Sequence, residues 1–61
     1  MRTTDTQPIA PGQTWVHNAY HVEVTVTHQR TPGMWEATDE LGNRLIVAES
    51  TFRRSYTRKP T

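Results

Sequence analysis

Histidines and acidic residues are the side chains of this chain whose types could bind a metal. His17, His21 and Glu23 are close in sequence, and His21 and Glu23 would share one face of a strand because side chains alternate along it. Imidazole and carboxylate groups bind zinc and similar ions, but this spacing does not by itself bring ligands together around one ion. We therefore expect exposed strand histidines, with no metal and no cofactor.

Hydroxyl groups are plentiful, since threonine alone accounts for eleven residues. No nucleophile elbow or glycine-rich phosphate loop accompanies them, and a chain of 61 residues offers little enclosure for a reaction. The sequence thus predicts a protein that is not an enzyme. Glu36, Asp39 and Glu40 surround a predicted turn, which indicates a solvated hairpin tip; the functional alternative is an acidic patch that meets a basic partner.

The C-terminal segment concentrates the positive charge. Residues 1–52 contain three arginines and all six acids, whereas residues 53–61 contain four basic residues and no acid. Phe52 and Tyr56 interleave with these charges, a combination suited to phosphate contact and base stacking. The alternative is a charged terminus that only keeps a small protein in solution.

Composition limits the class of protein. The chain has no cysteine, so disulfides cannot stabilise it, and a reducing cytoplasm is the simplest location. We find neither a secretory signal pattern nor a run of eighteen apolar residues, and so expect a soluble intracellular protein. The chain is near the lower size limit for a domain with its own core.

The apolar pattern predicts a mainly β chain. The predicted strands and turns are the elements that must position the side chains described above. Val22, Val24 and Val26 alternate with polar residues, as expected for a strand with one buried face. Predicted strands cover residues 13–17, 20–27, 34–38, 44–49 and 55–57, with a loop at 28–33, a turn at 39–43 and a single helical turn at 50–52. The fold class is therefore all-β, a small SH3-like barrel of about five short strands with a one-turn helix before the last strand. An open OB-like sheet is the alternative.

The boundaries follow from the same pattern. Residues 1–10 are predicted to be a disordered N-terminal arm, residues 11–57 the barrel and residues 58–61 a basic tail. Apolar residues on both faces of the fourth strand predict a central strand, and Ser50 or Thr51 is expected to cap the helical turn. The predicted core consists of Val22, Val24, Val26, Trp35, Ala37, Leu45, Val47 and Phe52, with Tyr56 at its edge.

The chain resembles small SH3-like proteins of actinobacteria and their phages, mostly of unassigned function. The residues that carry the resemblance are Pro11-Gly12-Gln13-Thr14-Trp15, Gly42-Asn43-Arg44 and Ser50-Thr51-Phe52-Arg53-Arg54. Glu49 departs from the pattern, because the similar proteins tend to carry an apolar residue there. The resemblance implies a fold and a source but no activity.

These observations favour a small binding module over an enzyme. Its partner is either nucleic acid, contacted through the C-terminal segment, or a host protein that a phage-type protein binds and modulates through an exposed barrel face. We expect neither a membrane as partner nor a small-molecule substrate. Trp15 belongs either to the core or to the surface that contacts the partner. The residues predicted to contact the partner are Trp15, Tyr20, His21, Arg30, Arg53, Arg54, Tyr56, Arg58 and Lys59.

Overall fold

The computed structural model describes residues 8–60, whose strands form a single antiparallel sheet. The elements are β1 (Thr14–His17), β2 (Glu23–Thr31), β3 (Met34–Asp39), β4 (Arg44–Ala48), α1 (Glu49–Ser55) and β5 (Tyr56–Arg58). The strand order is β4-β3-β2-β1-β5, so β4 and β5 are the edges, and α1 contacts both of them. The chain is a small all-β, SH3-like domain with a helix before its last strand, and the predicted fold class is confirmed.

The core lies on one face of the sheet, beneath α1. Val24 and Val26 are almost fully buried, as their alternation predicts, but Val22 is exposed and its predicted core position is wrong. The strand begins only at Glu23, because His21 adopts a positive φ of 61° and the chain before it forms the β1–β2 loop. The other predicted core residues are buried or half-buried: Trp35, Ala37, Leu45, Val47, Phe52 and Tyr56.

Trp15 belongs to the core, which decides between the core and surface positions that the sequence left open. Its side chain is 5% exposed, and it pairs in register with Val24, whose side chain points into the core. The indole N–H donates to Oε1 of Gln13 at 3.2 Å, so burial leaves no polar group of Trp15 unpaired. Val16 points to the opposite face and is half-buried there.

Ile9 also enters the core, although it falls in the predicted disordered arm. The Gln13 side chain holds this segment: its Oε1 accepts from the Ala10 N–H at 3.1 Å and its Nε2 donates to the Pro8 carbonyl at 3.1 Å. Residues 1–7 of the predicted arm lie outside the described residues. At the other end, Arg58 belongs to β5 and not to a tail.

The predicted loop at 28–33 is wrong. Strand β2 continues to Thr31, and Pro32-Gly33 alone make the turn, where Gly33 has a φ of 83°. The pairing of β2 with β3 is interrupted between Val26 and His28 and between Gln29 and Thr31. Such bulges redirect side chains and increase strand twist, and they let a polar segment stay in the sheet.

The last third of the chain differs from its prediction in two ways. Strand β4 is an edge strand and not a central one, and Ile46 is exposed on the face that points away from the core. Helix α1 is longer than one turn, and its N-cap is Ala48, without a side-chain cap. The Glu49 N–H instead donates to the Gly33 carbonyl at 2.8 Å, so a neighbouring turn accepts one of the N–H groups at the start of the helix.

Candidate functional site

A cleft opens between α1 and β5, and we call it the basic cleft. It has a volume of about 60 Å³ and is lined by Trp15, Arg53, Tyr56, Thr57 and Arg58. The antiparallel pairing of β1 with β5 sets Trp15 opposite Arg58, which places both side chains on the core side of the sheet. Four predicted contact residues therefore meet in one place: Trp15, Arg53, Tyr56 and Arg58.

The arginines of this region differ in their partners. Arg53 lies 3.5 Å from Glu49, one turn earlier in α1, and so is already engaged. Arg58 is half-buried, and Arg54 is exposed. Neither makes an ion pair within residues 8–60. Because burial without a counter-ion is unfavourable for a guanidinium, Arg58 favours an anion at the cleft.

A continuous series of ring contacts leads from the core to the surface beside the cleft. Trp15 packs on Phe52 with 5.0 Å between ring centroids, and Phe52 meets Tyr56 edge-on at 5.2 Å. Tyr56 meets His17 edge-on at 4.9 Å, and His17 stacks on Tyr20 at 4.8 Å. Tyr20 is 76% exposed, so the series begins in the core and ends in solvent.

His17 is the side chain that places Tyr20. Its Nδ1 accepts from the backbone N–H groups of Ala19 and Tyr20, at 3.1 and 3.2 Å. The His21 N–H donates to the His17 carbonyl at 2.8 Å, which closes the loop. An Nδ1 that accepts hydrogen bonds leaves the proton of the neutral ring on Nε2. His17 is thus a structural residue of the β1–β2 loop, and His21 is exposed beside it.

Lys59 and Thr57 tie β5 to the rest of the sheet. Lys59 Nζ lies 2.9 Å from Glu23 Oε2, so this predicted contact residue already has an acidic partner. The Thr57 hydroxyl donates to Asn18 Oδ1 at 2.6 Å. These bonds fix the short edge strand that carries Tyr56 and Arg58.

Arg30 lies away from the basic cleft, in a group that we call the outer-face cluster: His28, Arg30 and Glu36. Arg30 Nη1 donates to Glu36 Oε1 at 2.9 Å, and His28 Nε2 is 3.5 Å from the same oxygen. Glu36 is only 6% exposed, which corrects its prediction as part of a solvated hairpin tip. The bulge after Val26 sets His28 opposite Glu36 and thereby makes this cluster possible.

The hairpin tip itself is built around Asp39. Its Oδ1 accepts from the backbone N–H groups of Leu41 and Asn43, both at 2.9 Å. The bond from the Asn43 N–H lowers the pKa of this carboxyl below its ordinary value, and the bond from Leu41 acts in the same direction. Asp39 therefore closes a turn, and Glu40 is the exposed acid of this tip.

For two residues that organise the site, the residue type does not indicate the role that the structure shows. Gln13 belongs to the Pro-Gly-Gln segment, and only the structure shows it bonded to Trp15 and to the segment before it. His17 looks like a metal ligand by type, but its partners are backbone N–H groups and aromatic rings. Its short distance in sequence from Tyr20 is the signal from which the loop contact could have been inferred.

Neither a cluster of metal-binding side chains nor a helix that could cross a membrane is found in the part of the chain that the structure describes. Within residues 8–60 there is no group of three or more His, Cys, Asp or Glu side chains that could hold a metal ion. The same residues contain no helix that is long and apolar enough to cross a membrane.

Comparisons with protein-family models, with curated proteins and with solved structures find no match for this chain. The resemblance to small actinobacterial and phage proteins therefore stays a prediction, and the basic cleft is the basis on which a function can be argued.

Proposed function

We propose that this protein is a small non-catalytic module that binds nucleic acid through the basic cleft. The observation that carries the proposal is the half-buried Arg58, which has no ion pair within residues 8–60 and lines a cleft with Tyr56 and Arg53. A phosphate group would neutralise this charge, and the aromatic rim suits the sugar and base next to it.

The surroundings of the cleft support the same ligand. Arg54 is exposed on α1, one residue from Arg53, and makes no ion pair within the described residues. The guanidinium groups of Arg54 and Arg58 have no counter-ion within the described residues. They attract a polyanion from solution, and this attraction weakens as salt rises. A nucleic-acid ligand is compatible with a cytoplasmic location, which the absence of cysteine also favours.

Fluorescence anisotropy with a labelled oligonucleotide at several salt concentrations tests the proposal. We expect the affinity to fall linearly with salt on logarithmic axes, and Arg58→Ala to reduce that slope by about 1. The double change Arg53→Ala and Arg54→Ala should weaken binding to every sequence tested. Since Arg53 also pairs with Glu49, Arg58→Ala is the cleaner variant.

Arg44→Ala is the matched control, because Arg44 is an exposed arginine at the opposite edge of the sheet. It should leave the salt slope unchanged. No binding at low salt, or equal effects of Arg58→Ala and Arg44→Ala, would refute the proposal.

A host protein is the second candidate partner, in the manner of a phage protein that modulates its host. The observation that favours it is the edge strand β4, which carries the exposed Ile46 on its outer face. Edge strands with exposed apolar side chains can pair with a strand of another chain. A pull-down from host lysate, with and without nuclease, separates the two candidates: a protein captured after nuclease treatment and lost in Ile46→Lys supports this alternative.

A further inference from the structure

Tyr20 is a flat aromatic surface in solvent, close to the basic cleft. Its ring stacks on His17 with an angle of 29° between the planes, and its opposite side is available because the residue is 76% exposed. An exposed tyrosine loses little conformational freedom when another ring stacks on it, particularly where a neighbour already holds it in place.

The position of Tyr20 relative to the cleft is set by protein contacts. His17 holds the Tyr20 backbone N–H through Nδ1 and meets the cleft residue Tyr56 edge-on. Each ring centroid lies within 5 Å of the next, so two successive contacts join the exposed ring to the cleft wall. A ligand that reaches both therefore needs an anionic group and an open aromatic face a short distance apart.

We propose that the ligand is single-stranded nucleic acid, with a base stacked on Tyr20 and a backbone phosphate at Arg58. This inference rests on the proposed function and names its substrate class. In a duplex both faces of each internal base are covered by neighbouring base pairs, so a duplex offers phosphate to the cleft but no base to Tyr20. In a single strand every base has a free face, and stacking on aromatic side chains is the usual mode of binding. The phosphate and the base are then contacted by different residues.

The test compares a labelled single strand of about 12 nucleotides with the blunt duplex of the same sequence. We expect the single strand to bind more tightly to the parent protein. Tyr20→Ala should weaken single-strand binding roughly 5- to 100-fold and leave duplex binding unchanged, while Tyr20→Phe should retain the parent preference. Arg58→Ala should weaken both.

Leu41→Ala is the control, because Leu41 is 86% exposed at the hairpin tip and does not line the basic cleft. It should change neither affinity. His17→Asn keeps a side-chain acceptor for the loop but removes the ring beneath Tyr20. As the change of a positioning residue, it should lower single-strand affinity without changing duplex affinity or the circular dichroism spectrum.

The outcomes distinguish this inference from the proposed function. If the parent binds single strand and duplex equally and Arg58→Ala weakens both, the proposed function stands and the role of Tyr20 is wrong. If Tyr20→Ala leaves single-strand binding unchanged, or weakens both ligands equally, the inference is also overturned. If the parent binds neither oligonucleotide at low salt, both fail.

Discussion

Two arginines on opposite faces of the sheet show how surroundings decide the role of a charge. Arg30 donates to the buried carboxylate of Glu36, so the charge of Arg30 has an acidic partner within the fold. Arg58 lines a cleft with aromatic residues and makes no ion pair within residues 8–60. The outer-face cluster therefore contributes to stability, whereas Arg58 of the basic cleft has no acidic partner within the described residues.

The difference arises from pairing in the sheet. A bulge in β2 brings His28 opposite Glu36, and the strand continues so that Arg30 reaches the same carboxylate. In β5 the register sets Arg58 opposite Trp15, an apolar neighbour. Residues of the same type thus take different roles because one faces an acid and the other faces a ring.

The largest effect is expected at Phe52, the support beneath the basic cleft. Phe52 is fully buried and touches both Trp15 and Tyr56. Phe52→Ala should reduce the free energy of unfolding by about 3 to 5 kcal/mol, enough to unfold a domain of this size. Thermal unfolding followed by circular dichroism measures it, with Thr51→Ala as an exposed control on the same helix. A variant that melts like the parent would show that the cleft does not depend on this core.

The comparison itself is tested by Arg30→Ala against Arg58→Ala. Loss of Arg30 removes the closer of the two basic partners of the buried Glu36 carboxylate within residues 8–60 and leaves His28 at 3.5 Å, which should cost about 1 to 3 kcal/mol of stability. We expect the low end of this range, because Arg30 is 52% exposed and water screens the pair. Arg58→Ala should change stability by no more than about 0.5 kcal/mol.

Urea unfolding of the two variants gives both values. The comparison between the two faces would be wrong if the variants lost equal stability, or if Arg30→Ala weakened oligonucleotide binding as much as Arg58→Ala.

The smallest effect is expected at the hairpin tip. Hydrogen bonds from Asn43 and Leu41 lower the pKa of Asp39, so the folded state binds its proton less readily than the unfolded state. The stabilisation is present above the ordinary pKa of an aspartate, near pH 4, and is lost as pH falls through the lowered value. Stability curves of the parent and of Asp39→Asn should converge as pH falls below about 4. A constant difference between them throughout acid pH would contradict the role of the carboxylate.

Much of the fold follows from local pattern, and the failures have a common cause. The alternation of Val24 and Val26 and the glycine of the hairpin turn require only neighbouring residues to be interpreted. Val22 and Ile46 break the same rule, because a loop residue with positive φ ends the alternation and because Ile46 lies on the face of β4 that points away from the core. Sequence periodicity shows that a face is apolar, but the packing of the other elements determines whether anything covers it.

The sequence by itself determined the β class, the five strands, the helical segment around Phe52 and the concentration of positive charge after it. These depend on residue type and short-range spacing. Only the tertiary structure decided which arginine meets an acid, that Trp15 is buried, that Ile9 joins the core and that His17 packs against Tyr56. Each of these is a contact between different segments, and its geometry depends on sheet register and bulges. A shift of one residue in strand pairing would turn the side chains to the other face of the sheet.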